Sequence, residues 1–225
     1  MSDMTSRASC SSLMVVASLL ALPAAAEDAA RNSGLAIGLR GAYGLPTGTA
    51  FEPIEQSAFG DALAPQLDVA YFFNGQLSLG GYFQYGVSMG GNCQFDKRCS
   101  GSVMRLGVDL NYHFAPGAFL RPWVGVGAGY ERIQRTFKTD VTRIETSLGG
   151  YELGHLNAGL DIQLSPSVSV GPYLTTTLAQ YSTATVTTEE LGIPGSSETE
   201  TGDVPDSVKA LHLWVQPGVR LLFRL

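Results

Sequence analysis

The feature that most constrains this chain is an alternation of apolar and polar residues with a period of two. The stretch RLGVDLNYHF (105–114) places only apolar side chains on one face and only polar or small ones on the other. A period of two predicts a β-strand, because successive side chains leave opposite faces. No segment of the mature chain shows a persuasive helical period, so we expect an all-β fold. Eight stretches alternate in this way: 35–44, 66–73, 76–87, 105–114, 120–131, 155–164, 167–181 and 211–223.

The connections between these stretches alternate in length. Three are short, and the first contains Asn74-Gly75, which predicts a two-residue hairpin. Four are long, and the last of these includes an acidic, Gly- and Ser-rich stretch, 187–206, for which we expect a mobile loop. Tight turns at one end and long loops at the other predict an up-and-down meander. The long connections are 45–62, 89–102, 135–148 and 182–208.

Alternation alone does not say which face points inward. The polar faces carry many Gly and Ser with a few charges, which suits the narrow interior of an eight-stranded barrel. No charge interrupts the apolar faces, where it would cost about 2–4 kcal/mol in lipid. The apolar faces also end in aromatic residues beside the short turns, which predicts an aromatic girdle of Tyr71, Phe73, Tyr112, Phe114 and Phe223. We therefore predict an eight-stranded antiparallel up-and-down transmembrane β-barrel whose first and last strands pair.

The N-terminal residues predict export. An apolar run (13–22) followed by PAAA predicts a signal peptide over residues 1–26, cleaved between Ala26 and Glu27, with the barrel domain over 27–225. Cys93 and Cys99 then predict a disulfide, since two thiolates without a nearby His are too few to bind a metal. The net charge of −6, without a basic cluster, argues against nucleic acid as a partner.

The inward face predicts a polar network in the lumen. Positive and negative charges are nearly balanced there, so we interpret them as structural ion pairs, with a conduit for protons, ions or small solutes as the alternative. The three His residues share this face on separate strands, where we expect neither a metal site nor a cofactor. Three inward glycines, Gly125, Gly127 and Gly129, are expected to leave room for Trp214, Tyr82 or Tyr173. The predicted network comprises Arg40, Asp68, Arg105, Asp109, Arg121, Glu131, Asp161 and Arg220.

Three stretches carry a resemblance to a known family. RPWVGVGAGY (121–130), NAGLDIQLSPSVSVGPYL (157–174) and WVQPGVRLLFRL (214–225) resemble the small outer-membrane β-barrel proteins of Gram-negative bacteria, the OmpA/OmpX/OmpW-like group. The resemblance implies an outer-membrane location, contact with outer-membrane lipid and insertion by the barrel-assembly machinery. Proteins of that group usually end in an aromatic residue, whereas this chain ends Phe223-Arg224-Leu225.

For function, the external loops are the best candidates, because loops on a rigid scaffold carry recognition. We expect a structural or surface-interaction role, with the extracellular ligand left open. The resemblance also implies an alternative, the passive uptake of small apolar molecules through a lateral opening. A lipid-modifying enzyme is a second alternative, but no outward-facing Ser-His-acid set or carboxylate pair is visible, so we expect no enzymatic activity.

Overall fold

A computed structural model describes residues 33–47, 61–89, 98–192, 195–204, 209 and 211–225. The predicted signal peptide and Cys93 lie outside the described residues, so the cleavage site and the disulfide stay predictions. The strands are β1 (Gly34–Thr47), β2 (Ala62–Phe72), β3 (Leu77–Ser88), β4 (Arg98–His113), β5 (Leu120–Lys138), β6 (Thr142–Ser165), β7 (Val168–Glu190), β8 (Ser197–Asp203) and β9 (Leu211–Arg224).

Eight of these strands close into a ring. Each strand from β1 to β7 pairs antiparallel with the next, β7 pairs with β9, and β9 pairs with β1. The closing ladder runs from Ala36↔Arg224 to Thr47↔Leu213. The predicted barrel and its closure by the first and last strands are therefore confirmed.

Two of the predicted long loops are wrong. β5 continues to Lys138 and β6 begins at Thr142, so most of 135–148 is strand. The turn between β5 and β6 is closed by Thr139, whose Oγ1 accepts a hydrogen bond from the N–H of Thr142 at 2.9 Å. β7 likewise continues to Glu190 and pairs with β8, so the described part of 187–206 is largely a hairpin. These extensions carry polar side chains on both faces. They therefore lack the alternation of apolar and polar residues by which the rest of each strand was identified.

The turn at Asn74-Gly75 also differs from the two-residue hairpin expected. β2 ends at Phe72 and β3 begins at Leu77, which leaves four residues between them. The Oδ1 of Asn74 accepts the backbone N–H of both Gln76 and Leu77 at 2.8 Å. Neither Asn74 nor Gly75 has a positive φ. The asparagine side chain therefore closes this turn, in place of the left-handed backbone of a type I′ turn.

The outer surface of the ring is a continuous apolar belt. Leu67, Val108 and Val126 are typical of it, with 45%, 58% and 51% of their surface exposed. In the part of the chain that the structure describes, no helix has the length and apolar character needed to cross a membrane.

Aromatic residues border this belt at both ends. Beside the short turns, Tyr71 contacts Phe73 and Tyr112 contacts Phe114, with ring centroids 5.5 and 5.0 Å apart. Phe223 pairs with Ile37 in the same region. A second ring, which the sequence reading missed, lies toward the long-loop end and consists of Tyr43, Tyr85, Tyr130 and Tyr151, all exposed.

Candidate functional site

The lumen is filled by side chains, and its bulkiest members are aromatic. Trp214 is fully buried in an apolar cluster with Val103, Ile133 and Tyr181. Trp123 packs in a second cluster with Tyr173. A third cluster closes the short-turn end and comprises Ala36, Phe72 and Leu222.

Ion pairs occupy the space between these clusters. The guanidinium of Arg40 lies 2.7 Å from Asp68 and 3.5 Å from Asp109. Arg105 binds Glu131 through Nε at 2.6 Å. All of these side chains are at least nine-tenths buried, so their charges compensate one another in place of water.

A third pair lies closer to the short turns. Arg220 donates from both Nε and Nη2 to the carboxylate of Asp161, a two-point contact that fixes the guanidinium plane. The same guanidinium lies over the ring of Trp123, 3.6 Å from its centroid.

Neutral amides connect the pairs. Gln66 donates to Asp68 at 2.7 Å, and Gln84 donates to Gln66 at 2.9 Å. Arg105 then donates to Gln84 at 2.7 Å. The Arg40 and Arg105 pairs therefore belong to one hydrogen-bonded network across the barrel.

His155 joins a further carboxylate to this network. Its Nε2 contacts Asp109 and its Nδ1 contacts Glu152, and both ring nitrogens act as donors only in the imidazolium form. Tyr82 donates to the second oxygen of Glu152 at 2.7 Å. The sequence reading missed Glu152 because a register shift at Glu152/Gly154 turns it inward with His155, three residues away.

The other two histidines contact different acids. His212 Nε2 lies 2.9 Å from Glu131, which also accepts a hydrogen bond from Tyr181 at 2.6 Å. His113 Nδ1 lies 3.8 Å from Asp161. The three histidines thus do not converge, and the described residues hold no group of His, Cys, Asp or Glu arranged for a metal ion.

Arg121 is the exception among the eight predicted network residues. The other seven are buried, whereas Arg121 is half-buried at the end of the lumen near the short turns. Its Nε donates to the backbone carbonyl of Ala118 at 3.1 Å. It stabilises the β4–β5 turn and makes none of the ion pairs described above.

The inward glycines of β5 make room for polar as well as aromatic side chains. A Cβ at Gly129 would lie 2.7 Å from the hydroxyl of Tyr82, as the sequence reading supposed. A Cβ at Gly127 would instead collide with His155. Trp214 and Tyr173 pack against other glycines: Trp214 against Gly44 on β1, and Tyr173 against Gly218 on β9.

Two small cavities lie between the described side chains of the lumen. One cavity of about 10 Å³ lies between Arg105, Glu152 and His155, and a second of about 20 Å³ lies between Asn111, Asp109 and Arg220. A single water needs about 10–15 Å³. These cavities hold isolated waters at most and do not amount to a channel.

One irregular point of the wall lies between β1 and β9. The β1–β9 ladder is interrupted between Ala42↔Gly218 and Leu45↔Val215, next to Pro217, which has no N–H to donate. Trp214 fills the space behind this point, since a Cβ on Gly44 would lie 3.2 Å from its ring. The interruption therefore leads to a buried side chain and not to an open passage.

At the long-loop end, beyond the second ring of aromatic residues, the extensions of β4 to β7 and the strand β8 form a sheet. This sheet projects beyond the apolar belt. On its outer face, Gln134 donates to Glu145 at 2.5 Å, and Arg143 pairs with the same carboxylate at 3.1 Å. Thr185 and Thr187 bond across the β7–β8 ladder to Thr201 and Thr199 at 3.2 and 3.1 Å. We call this five-stranded surface the projecting sheet.

Comparison with solved structures agrees with this architecture. The chain is similar to a major outer membrane protein from Thermus thermophilus, with a TM-score of 0.60, 14% identity and coverage of 85% of this chain and 99% of that one. It is also similar to Neisserial surface protein A, with a TM-score of 0.51, 10% identity and coverage of 86% and 98%. No protein family and no curated protein matches the sequence.

Proposed function

We propose that this chain, which has the fold of the small outer-membrane β-barrel proteins, is an integral outer-membrane protein that displays its projecting sheet at the cell surface for interaction with a partner. The observation that carries this proposal is the filled lumen. The two cavities between its described side chains, of about 10 and 20 Å³, are too small to pass a hydrated solute. Among the described residues, the chemistry left accessible at the long-loop end is that of the projecting sheet.

Passive uptake of small apolar molecules is less well supported. A lateral route through the β1–β9 interruption beside Pro217 would meet Trp214, which fills the lumen behind it. A lipid-modifying activity lacks support as well, because the three histidines lie inside the lumen against carboxylates. None of them reaches the lipid-facing surface, where a base for such chemistry would be needed.

The orientation is tested by inserting a short epitope tag into the β7–β8 turn after Gly192. We expect antibody to label intact cells expressing this variant. The matched control carries the same tag after Gly75 in the short β2–β3 turn, and it should be labelled only after the outer membrane is permeabilised. Labelling in the opposite order would refute the proposed orientation.

The absence of a transport role is tested separately. Purified protein, refolded into liposomes, should give no swelling with small sugars, while a general porin in the same lipid should give rapid swelling. Uptake of a small apolar dye should also match that of empty liposomes. Solute entry above that background would favour the transport alternative.

A further inference from the structure

The projecting sheet ends in an open edge on β8. One edge of β7 pairs with β6. The other edge pairs with β9 as far as Gln180 and with β8 from Thr183 onward. Within the described ranges, β8 pairs with β7 alone. All seven residues of β8 are exposed, so its second edge faces solvent above the barrel.

The pairing pattern shows which backbone groups this edge presents. The N–H of Val204 donates to the carbonyl of Ser182 at 2.8 Å, which sets the alternation of hydrogen-bonded pairs along the ladder. By this alternation Thr199 and Thr201 occupy the pairs without backbone bonds to β7, so their N–H and C=O groups point outward from the sheet. Their hydroxyl contacts with β7, at 3.1 and 3.2 Å, agree with the closer side chains of such pairs.

The charge of the edge selects among strands that could join it. Residues 183–204 contain five carboxylates and no Lys or Arg. Glu198 and Glu200 alternate with the threonines and share the other face of β8, two residues apart. A second acidic strand laid against this edge would place like charges opposite one another, which is unfavourable. A strand with Lys or Arg at every second position would place cations beside both glutamates.

We propose that the open edge of β8 binds an extended segment of another protein that carries basic residues at alternate positions. The segment adds a strand to the projecting sheet, with backbone bonds to Thr199 and Thr201 and ion pairs to Glu198 and Glu200. Backbone groups that repeat along an edge match another extended backbone better than they match an ion or a sugar. This inference rests on the proposed display of the sheet at the cell surface and adds the chemistry of its partner.

The test uses the full mature chain refolded in detergent and a fluorescently labelled peptide in which Lys and Thr alternate. Thr199→Pro and Thr201→Pro each remove an outward N–H without removing a backbone bond to β7, and proline is tolerated on an edge facing solvent. We expect each to weaken peptide binding by about tenfold, the effect of one lost backbone hydrogen bond. The matched controls, Thr199→Ala and Thr201→Ala, keep the N–H and should bind as the unchanged protein does.

Two further measurements keep the test decisive if a proline variant does not fold. Glu198→Gln with Glu200→Gln should weaken binding and reduce its dependence on salt. A peptide of the same composition with its lysines grouped together should bind more weakly than the alternating one.

Equal binding of the two peptides, or unchanged binding by folded proline variants, would overturn the proposal. Self-association of the chain through β8, measured by sedimentation, would also overturn it in favour of a second copy as the occupant. Failure of peptide binding in a protein whose Gly192 tag is labelled on intact cells would remove this inference and leave the proposed function standing.

Discussion

Removal of the Glu131 carboxylate is expected to be among the most damaging single changes in the lumen. Glu131 is fully buried and accepts from Arg105 at 2.6 Å and from Tyr181 at 2.6 Å, with His212 at 2.9 Å. Glu131→Ala removes the acceptor that these three side chains share and leaves the guanidinium of Arg105 buried without its counterion. Breaking a buried ion pair in this way costs about 3–5 kcal/mol. We therefore expect the free energy of unfolding to fall by about that amount.

The matched control is Glu145→Ala on the projecting sheet. Glu145 also binds an arginine, Arg143, but the two side chains are 28% and 46% exposed. Water replaces the lost contact there, so the expected change is below about 1 kcal/mol. Urea unfolding in detergent measures both variants, with the fluorescence of the two tryptophans, Trp123 and Trp214, reporting the loss of packing.

A double variant separates the ion pair from its surroundings. Arg105→Met combined with Glu131→Leu removes both charges, and the loss of stability should then be smaller than the sum of the single losses by at least about 1 kcal/mol. If Glu131→Ala destabilised the barrel no more than Glu145→Ala, the lumen would be hydrated and the account of a filled interior would be wrong.

Three further predictions address packing, lipid contact and covalent structure. Gly127→Ala should lower the yield of folded barrel, measured by heat-modifiable gel mobility, because its Cβ would collide with neighbouring atoms, while Gly41→Ala, with open space around it, should fold normally. Val108→Arg in the middle of the apolar belt should cost about 2–4 kcal/mol in lipid vesicles, and Val108→Leu should cost little. Cys93 and Cys99 should resist alkylation until the mature protein is reduced, and prompt labelling of both before reduction would contradict the disulfide.

The residues of each strand that face the lumen could be predicted from the sequence, because the opposite face of each membrane strand is uniformly apolar. That rule places Arg40, Asp109 and Asp161 in the lumen from the sequence alone. It failed at Glu152, because a register shift changes the parity within one strand and nothing in the local composition marks it. The alternation of faces does not give the position of a residue along the barrel axis. The structure was therefore needed to show that Arg105 pairs with Glu131 and Arg220 with Asp161.

The projecting sheet was missed for a different physical reason. Outside lipid, a strand needs no apolar face. The extensions of β5 and β6 carry polar residues on both faces, with Arg135 and Thr146 on one and Thr136 and Glu145 on the other. Their β-branched residues indicate strand, but the alternation that identified the rest of the barrel is absent there. No sequence pattern marks the point at which the pairing of β7 changes from β9 to β8.

The closing ladder between β1 and β9 joins residue 36 to residue 224, near the two ends of the chain. The cylinder cannot close until β9 has paired with both β1 and β7. Without β9, β1 would keep only β2 as a neighbour, and the barrel part of β7 would keep only β6. In lipid, the two bare edges would lack hydrogen-bond partners. We therefore expect variants that lack β9 not to insert stably, although every other ladder of the barrel is available to them.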